Sequence, residues 1–250
     1  MKPSKLTITD LELCQTEDQS WTVLHKDLDA HYRSTHGAKA ESDWVFIKGT
    51  RLSEQDTWTI GELGFGLGTN LSTALALHGS RKQQTPLHYI GIDHQPIPPS
   101  IVEQTLSPSQ YRDWLLDLLQ QIDRGQTIAV VEPTEHIRLE LHATNLASAT
   151  LPTNWAVAFF HDPFGPKSNP EAWTPEAFTT IRNCMTQEGI LATYGAAGHA
   201  RRAMANAGFW LASTKGFGRK REMTIASSSQ ECISHGTLIK KYPPFMELKP

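Results

Sequence analysis

The stretch "ELGFGLGTN", residues 62–70, holds the residue types and spacing that could bind a small molecule. Gly64, Gly66 and Gly68 alternate with larger residues, behind Glu62 and ahead of Thr69 and Asn70. Glycine at every second position lets the backbone turn sharply and lets a ligand approach without a Cβ in the way, and a following helix adds unpaired N–H groups. The spacing is not the G-x-G-x-x-G of dinucleotide sites, and no Lys-Ser/Thr pair follows to make a phosphate loop. Glu62 would repel a pyrophosphate and attract an ammonium group. S-adenosylmethionine carries an ammonium and no phosphate, which makes it the first candidate; a tight structural turn is the alternative. Asp93, 25 residues beyond Gly68, ends the apolar run "LHYIGID". A carboxylate there can accept from both ribose hydroxyls, a geometry that serves NAD and S-adenosylmethionine equally, while a turn aspartate is the plainer reading.

A second stretch, "FFHDPFGPKSNPEAW" at 159–173, is more selective. Asp162-Pro163-Phe164 after an apolar run resembles the Asp/Asn-Pro-Pro-aromatic loop of amino-group methyltransferases. Proline stiffens such a loop, the carboxylate accepts from an amine N–H, and the aromatic face can stack a base. Methyl transfer to nitrogen requires a neutral amine lone pair in line with the methyl carbon, so positioning is the main lever. Asp162 would orient the amine and either take its proton or act only as an acceptor. The alternative has Asp162 capping a turn and Phe164 in the core.

The elements that must position these residues follow from period and breakers. Strands are expected at 58–63, 87–93, "TIAVVEP", "IRLELHA", "WAVAFFHD" and "ILATYG", the last opened by Gly189. Helices are expected at 69–78, 108–122, 174–185 with Pro175 in its first position, and 198–207. "FWLASTKGF" and "REMTIASS" read as an antiparallel hairpin. The alternation predicts an α/β fold with a mostly parallel, doubly wound sheet whose ligand lies beyond the carboxyl ends of the strands. Residues 1–50 fit this pattern poorly and are taken as an N-terminal cap, 51–228 as the Rossmann-like domain and 229–250 as a tail.

Composition narrows the class. A chain of 250 residues can bury a sizeable core. It shows no membrane-length apolar run and no secretory signal, so a cytoplasmic enzyme with no membrane partner is expected. Cys14, Cys184 and Cys232 are far apart and read as reduced residues. The eleven histidines include no metal-binding spacing, His31 and His36 being five apart, so no metal is expected. The net charge of −3 hides a basic cluster of Arg201, Arg202, Lys215, Arg219, Lys220 and Arg221, suited to a polyanion or else to scattered surface pairing.

Taken in order, "HYRSTHGAKAESDWVF", "ELGFGLGTN", "HDPFGPKSNPEAWT", "GILATYGAAGHARRAMANAGF" and "KGFGRKREM" resemble the methyltransferase part of the MnmC family and its standalone MnmD form. The resemblance spans about residues 30–226 and implies a class I methyltransferase fold. It implies S-adenosylmethionine as donor, with S-adenosylhomocysteine released, and conversion of 5-aminomethyl-2-thiouridine to 5-methylaminomethyl-2-thiouridine at the tRNA wobble position. On matching positions Glu62, Gly64, Gly66, Gly68, Asn70 and Asp93 would hold the cofactor, with Tyr32 and Glu41 as weaker carry-overs, and Asp162 would face the amine. Phe164 and Lys167 would meet the nucleotide, and Arg201, Arg202, Arg219, Lys220 and Arg221 the anticodon arm. Three departures stand out. The chain stops at Pro250, too soon for the family's flavin oxidase domain, so FAD is not expected. Many members carry Asp-Gly-Phe-Ala-Pro where this chain has Asp162-Pro163-Phe164-Gly165-Pro166. Where an acidic residue commonly meets adenine, Ala143 and Thr144 stand here, which leaves that contact to the Thr144 hydroxyl or to backbone. Rival readings are methylation of another base or small amine, a catalytically silent tRNA-binding subunit, and, last, a dehydrogenase.

Overall fold

The computed structural model describes residues 6–16, 21–32, 37–81 and 85–244. His36, the ends of the proposed cap and tail, and residues 33–36 of the quoted N-terminal block lie outside them.

Three short strands come first, β1 (Leu11–Gln15), β2 (Trp21–His25) and β3 (Ala30–His31), forming a small antiparallel sheet of their own. A short helix α1 (Ala38–Ser42) then runs on as a π-helical turn through Lys48. The main domain follows as β4 (Trp58–Leu63), α2 (Thr69–Gly79), β5 (Leu87–Asp93), α3 (Pro99–Thr105), α4 (Gln110–Asp123), β6 (Ile128–Thr134) and β7 (Ile137–Ala143). It continues through β8 (Ala156–His161), α5 (Pro175–Cys184), β9 (Met185–Thr193), α6 (Gly198–Asn206), β10 (Trp210–Lys215), β11 (Glu222–Ser227) and β12 (Thr237–Leu238).

The nine-stranded sheet runs β12-β10-β11-β9-β8-β4-β5-β7-β6. Its centre, β9-β8-β4-β5-β7, is parallel, and β11 lies antiparallel between β9 and β10, so the expected hairpin is inserted into the sheet. β6 reverses at the far edge, where its Pro133 interrupts no interior ladder. β4 and β8 lie at the buried centre: nearly all their residues are buried on both faces, as in strands covered by helices on each side, with Glu62 and His161 as buried polar exceptions. Phe160 of β8 packs into the core beneath α2 and α4, and the adjacent Phe159 into the core beneath α5 and α6. The chain leaves β4 for β5 on one side and reaches β8 on the other, which opens a crevice at the carboxyl ends of β4 and β8.

Two differences from the sequence reading have physical causes. β9 begins at Met185, four residues before the expected Gly189. Gly189 sits at a register shift inside the strand, where an added Cβ would lie 2.6 Å from the Ala156 carbonyl oxygen, so the glycine marks a bulge and not a strand start. The helical run 38–48 falls within the expected cap, yet Val45, Phe46 and Ile47 are buried in the same core as Trp58, Ile60 and Leu75. Leu11 and Val23 of the small sheet join that core too.

Candidate active site

A cavity of about 910 Å³ opens at the carboxyl ends of β4, β5, β8 and β9, with the small N-terminal sheet across it. Its floor is made by two loops in backbone contact. Gly64 has φ +87°, and a Cβ there would stand 2.5 Å from the Asp162 carbonyl oxygen and 2.7 Å from Pro163 N. Only glycine permits both that conformation and that approach. The Gly64 N–H donates to Ile92 O at 2.9 Å and the Asp162 N–H to Leu63 O at 2.9 Å, tying the loops after β4, β5 and β8 together. Gly66 N–H donates to Asp93 Oδ2 at 3.0 Å, and Asp93 Oδ1 accepts from Gln95 N–H at 3.0 Å. Tyr32 lies against Gly66, its Cδ1 3.0 Å from where a Cβ would be. Burial and the nearby Asp93 carboxylate push the Tyr32 phenol well above its ordinary pKa.

Glu62 and Asn70 stand behind this floor and do not line the cavity. Glu62 is fully buried, its Oε1 accepting from Asn70 Nδ2 at 2.6 Å and its Oε2 from Tyr89 OH at 2.6 Å. Asn70 Nδ2 also donates to Asp162 Oδ2 at 3.0 Å, and its Oδ1 accepts from Ser42 Oγ at 2.6 Å. The direct cofactor contact expected of Glu62 thus gives way to an internal one: the carboxylate faces protein donors, which its desolvation requires. Gly68 also lies off the cavity, packed against Leu115.

The loop after β8 is held in place along its length. Tyr194 OH donates to Pro163 O at 2.7 Å and Trp173 Nε1 to Phe164 O at 2.8 Å. His161, fully buried, reaches Ala172 O through Nε2 at 2.8 Å and Thr193 Oγ1 through Nδ1 at 3.3 Å. Burial lowers its pKa to about 4, so the ring is neutral and Nε2 carries the proton that the carbonyl accepts. Phe164 is half-buried at the cavity wall, its ring 4.9 Å from Tyr32 and 6.2 Å from His25, both edge-on. This answers the core-packing alternative, since Phe164 faces the cavity and not the interior.

The basic residues divide. Lys220 lines the cavity, with Nζ 3.1 Å from Glu41 Oε1 and 4.4 Å over the Tyr194 ring. Arg201 is largely buried and bonds Glu222 at 2.7 Å and Thr224 at 3.1 Å, a strut between α6 and β11. Arg202, Arg219, Arg221 and Lys167 are exposed. Thr144 is off the cavity, whose lining beyond Asp93 is made by His94 and Gln95. Sequence reasoning missed His25, Ser42 and Tyr194. Tyr194, just past the carboxyl end of β9, could have been found by the rule that ligands bind there; His25 and Ser42 left no local signal.

The lining fits S-adenosylmethionine. Among the described residues, Asp10, Asp27, Glu41, Asp93, Asp162 and Glu171 face the cavity against one lysine, Lys220. That balance favours a sulfonium and an ammonium and opposes a pyrophosphate. Gly64 and Gly66 would hold the methionine part and Asp93 the ribose. Among the described residues no group of three or more His, Cys, Asp or Glu is placed to hold a metal, and no helix is long and apolar enough to cross a membrane.

Comparison with known proteins bears on the class of protein and its fold. Residues 109–229 match a family model described as "S-adenosyl-L-methionine-dependent methyltransferase". The chain is 31% identical over 220 residues to the tRNA 5-methylaminomethyl-2-thiouridine biosynthesis bifunctional protein MnmC of Paraburkholderia phymatum, covering 82% of this chain and 33% of that protein. The corresponding protein of Chromohalobacter salexigens is 31% identical over 205 residues, 77% of this chain and 29% of its own length. The chain thus spans about a third of the curated relatives it matches. Among solved structures, MNMC2 from Aquifex aeolicus superposes with a TM-score of 0.71 at 25% identity, covering 98% of this chain and 75% of its own. Spermidine synthase from Thermotoga maritima shares the fold alone, with a TM-score of 0.56 at 10% identity over 95% of this chain and 77% of its own.

Fold and site together define an S-adenosyl-L-methionine-dependent methyltransferase of Rossmann-like architecture. The parallel centre, the inserted antiparallel hairpin and the glycine loop at the switch point are its parts. Within that class, the chain is similar to the methyltransferase part of the MnmC family.

Proposed function

We propose that this protein methylates the primary amine of 5-aminomethyl-2-thiouridine at the wobble position of tRNA, giving 5-methylaminomethyl-2-thiouridine. The observation that carries the reading is Asp162: it lines the same cavity as Gly64, Gly66 and Asp93, on a loop held by Tyr194 and Trp173. S-adenosylmethionine, when bound, supplies an electrophilic methyl group on a sulfonium. Asp162 accepts a hydrogen bond from the substrate amine and turns its lone pair toward that methyl. Phe164, beside Tyr32 and His25, presents a ring on which the uridine base packs. Lys220 holds the cavity rim through Glu41, and Arg202, Arg219, Arg221 and Lys167 are exposed to meet anticodon-arm phosphates. The reaction asks for no flavin, and its tRNA substrate places the work in the cytoplasm.

The test incubates the purified protein with labelled S-adenosylmethionine and two tRNA pools, one bearing 5-aminomethyl-2-thiouridine and one its carboxymethylaminomethyl precursor, followed by nucleoside mass analysis. Methyl gained in the first pool alone is the expected result. Methyl in neither pool, with the cofactor bound, overturns the substrate assignment.

A further inference from the structure

Asn70 is fully buried at the start of α2, and its amide touches three side chains from three other elements. Nδ2 donates to Glu62 Oε1 at 2.6 Å and to Asp162 Oδ2 at 3.0 Å, while Oδ1 accepts from Ser42 Oγ at 2.6 Å. This arrangement admits one amide orientation. Turned over, the amide would set its oxygen against two carboxylates and its NH2 against the Ser42 hydroxyl, losing both donated bonds. Glu62 is itself anchored by Tyr89 OH at 2.6 Å, so the chain of contacts ends on a buried strand residue on one side and on Asp162 on the other.

We infer that Asn70 is a positioning residue for methyl transfer, acting through Asp162 rather than on the cofactor. The inference rests on the proposed function, in which Asp162 orients the acceptor amine. Three observations carry it. Asn70 does not line the cavity, whereas Asp162 does. One of its amide hydrogens is given to Asp162, so the carboxylate's rotation about its own side chain is restrained from behind. The backbone contact of Gly64 with the Asp162–Pro163 peptide restrains the same residue at its main chain. Side chain and backbone of Asp162 are thereby fixed by Asn70 at the start of α2 and by Gly64 in the loop after β4, and Ser42 ties that setting to α1. A reacting carboxylate held from two sides loses little freedom when the substrate arrives, which is where positioning gains its effect.

The test compares wild type, Asn70→Ala, Ser42→Ala, Asp162→Asn and the Asn70→Ala/Asp162→Asn double variant. S-adenosylmethionine affinity is read by calorimetry, and KM for tRNA, kcat and single-turnover rates with tRNA carrying 5-aminomethyl-2-thiouridine. Expected for Asn70→Ala are a cofactor Kd and a tRNA KM within about twofold of wild type and a kcat lower by roughly 10–100-fold. Ser42→Ala, which keeps both bonds from the amide nitrogen but removes the restraint on its oxygen, gives a smaller loss in kcat alone. Adding Asn70→Ala to Asp162→Asn costs little more, because the residue it acts through is already changed. A cofactor Kd that weakens in step with kcat overturns the inference, as does an equal loss from Asn70→Ala in the Asp162→Asn background. Should Asn70→Ala fail to fold, Ser42→Ala decides by the same split between kcat and the two affinities. A wild type that binds the cofactor and methylates neither tRNA pool overturns the proposed function and this inference with it; an active wild type with additive variants overturns the inference alone.

Discussion

Replacing Gly64 by alanine tests the claim that two loops distant in sequence meet as backbone. The substitution meets two penalties. At φ +87° an L-residue is in the left-handed region, which costs about 1–2 kcal/mol. The new methyl would also stand 2.5 Å from the Asp162 carbonyl oxygen and 2.7 Å from Pro163 N, contacts no real Cβ tolerates. The neighbour is main chain held by Tyr194 and by the Asp162 N–H bond to Leu63, so the loop must move, at a further ~1–3 kcal/mol as for other overpacked sites. The expected sum is about 2–5 kcal/mol. For a domain of this size that lowers the thermal midpoint by about 4–20 °C. Melting followed by circular dichroism gives the stability, and methyl transfer to tRNA at 25 °C, where the variant is still folded, gives the activity. Turnover should fall further than any unfolded fraction explains, because the displaced peptide carries Asp162. Gly165→Ala is the control: nothing lies within 4 Å of its added methyl and its φ is not positive, so stability should stay within about 0.5 kcal/mol. A Gly64→Ala protein that melts and turns over like wild type, or a Gly165→Ala protein equally damaged, refutes the reasoning.

Other expectations follow from the same geometry. Asp162→Ala should keep S-adenosylmethionine affinity and lose turnover by at least about 10²-fold, and near-normal turnover removes it from the proposed role. Below neutral pH the protein should lose stability at His161. Its folded pKa of about 4 lies under the unfolded 6.5, so unfolding takes up a proton between these values, and on the order of 3 kcal/mol is withdrawn as pH falls through that window. Glu140 adds to this at lower pH. Burial pushes it up, but bonds from His142, Arg138 and His88 outweigh that and bring it to about 2, so its contribution is lost as pH falls from 4.5 toward 2. Denaturant titrations at pH 7, 5.5 and 4.5 check the His161 part; a flat profile contradicts a buried neutral ring. Arg219→Ala with Arg221→Ala should weaken tRNA binding and reduce its salt slope by about two if both meet phosphates, with cofactor affinity intact. Arg201→Ala should instead lower stability and leave the salt slope unchanged, since its guanidinium is already paired with Glu222.

Much was legible without coordinates because it depends on neighbours along the chain. Trp58–Leu63, Leu87–Asp93 and Ala156–His161 read as buried strands from their apolar runs, and Thr174-Pro175 marks the start of α5, where the Thr174 hydroxyl does accept from Ala177 N–H at 3.2 Å. The small sheet of β1–β3 was not legible. Its strands have two to five residues, too few for a period to show. The same limit hid His25, and Gly189 misled because a glycine inside a strand and one before it look alike in sequence.

The residue types alone narrowed the kind of ligand: a glycine loop without a following lysine speaks against a polyphosphate, and a carboxylate at the end of the next strand suits a nucleoside cofactor, NAD and S-adenosylmethionine alike. Which side chains work together was decided only by the tertiary structure. Asn70 reaches Asp162 across 92 residues, and Lys220 reaches Glu41 across 179. Arg201 and Arg219 are the same residue type in the same basic cluster, yet one is an internal strut and the other is exposed. Charge and hydrogen-bonding capacity belong to the residue and can be read from its letter. The partner that uses them is set by which elements the sheet order brings side by side, and that order is a property of the whole packed chain.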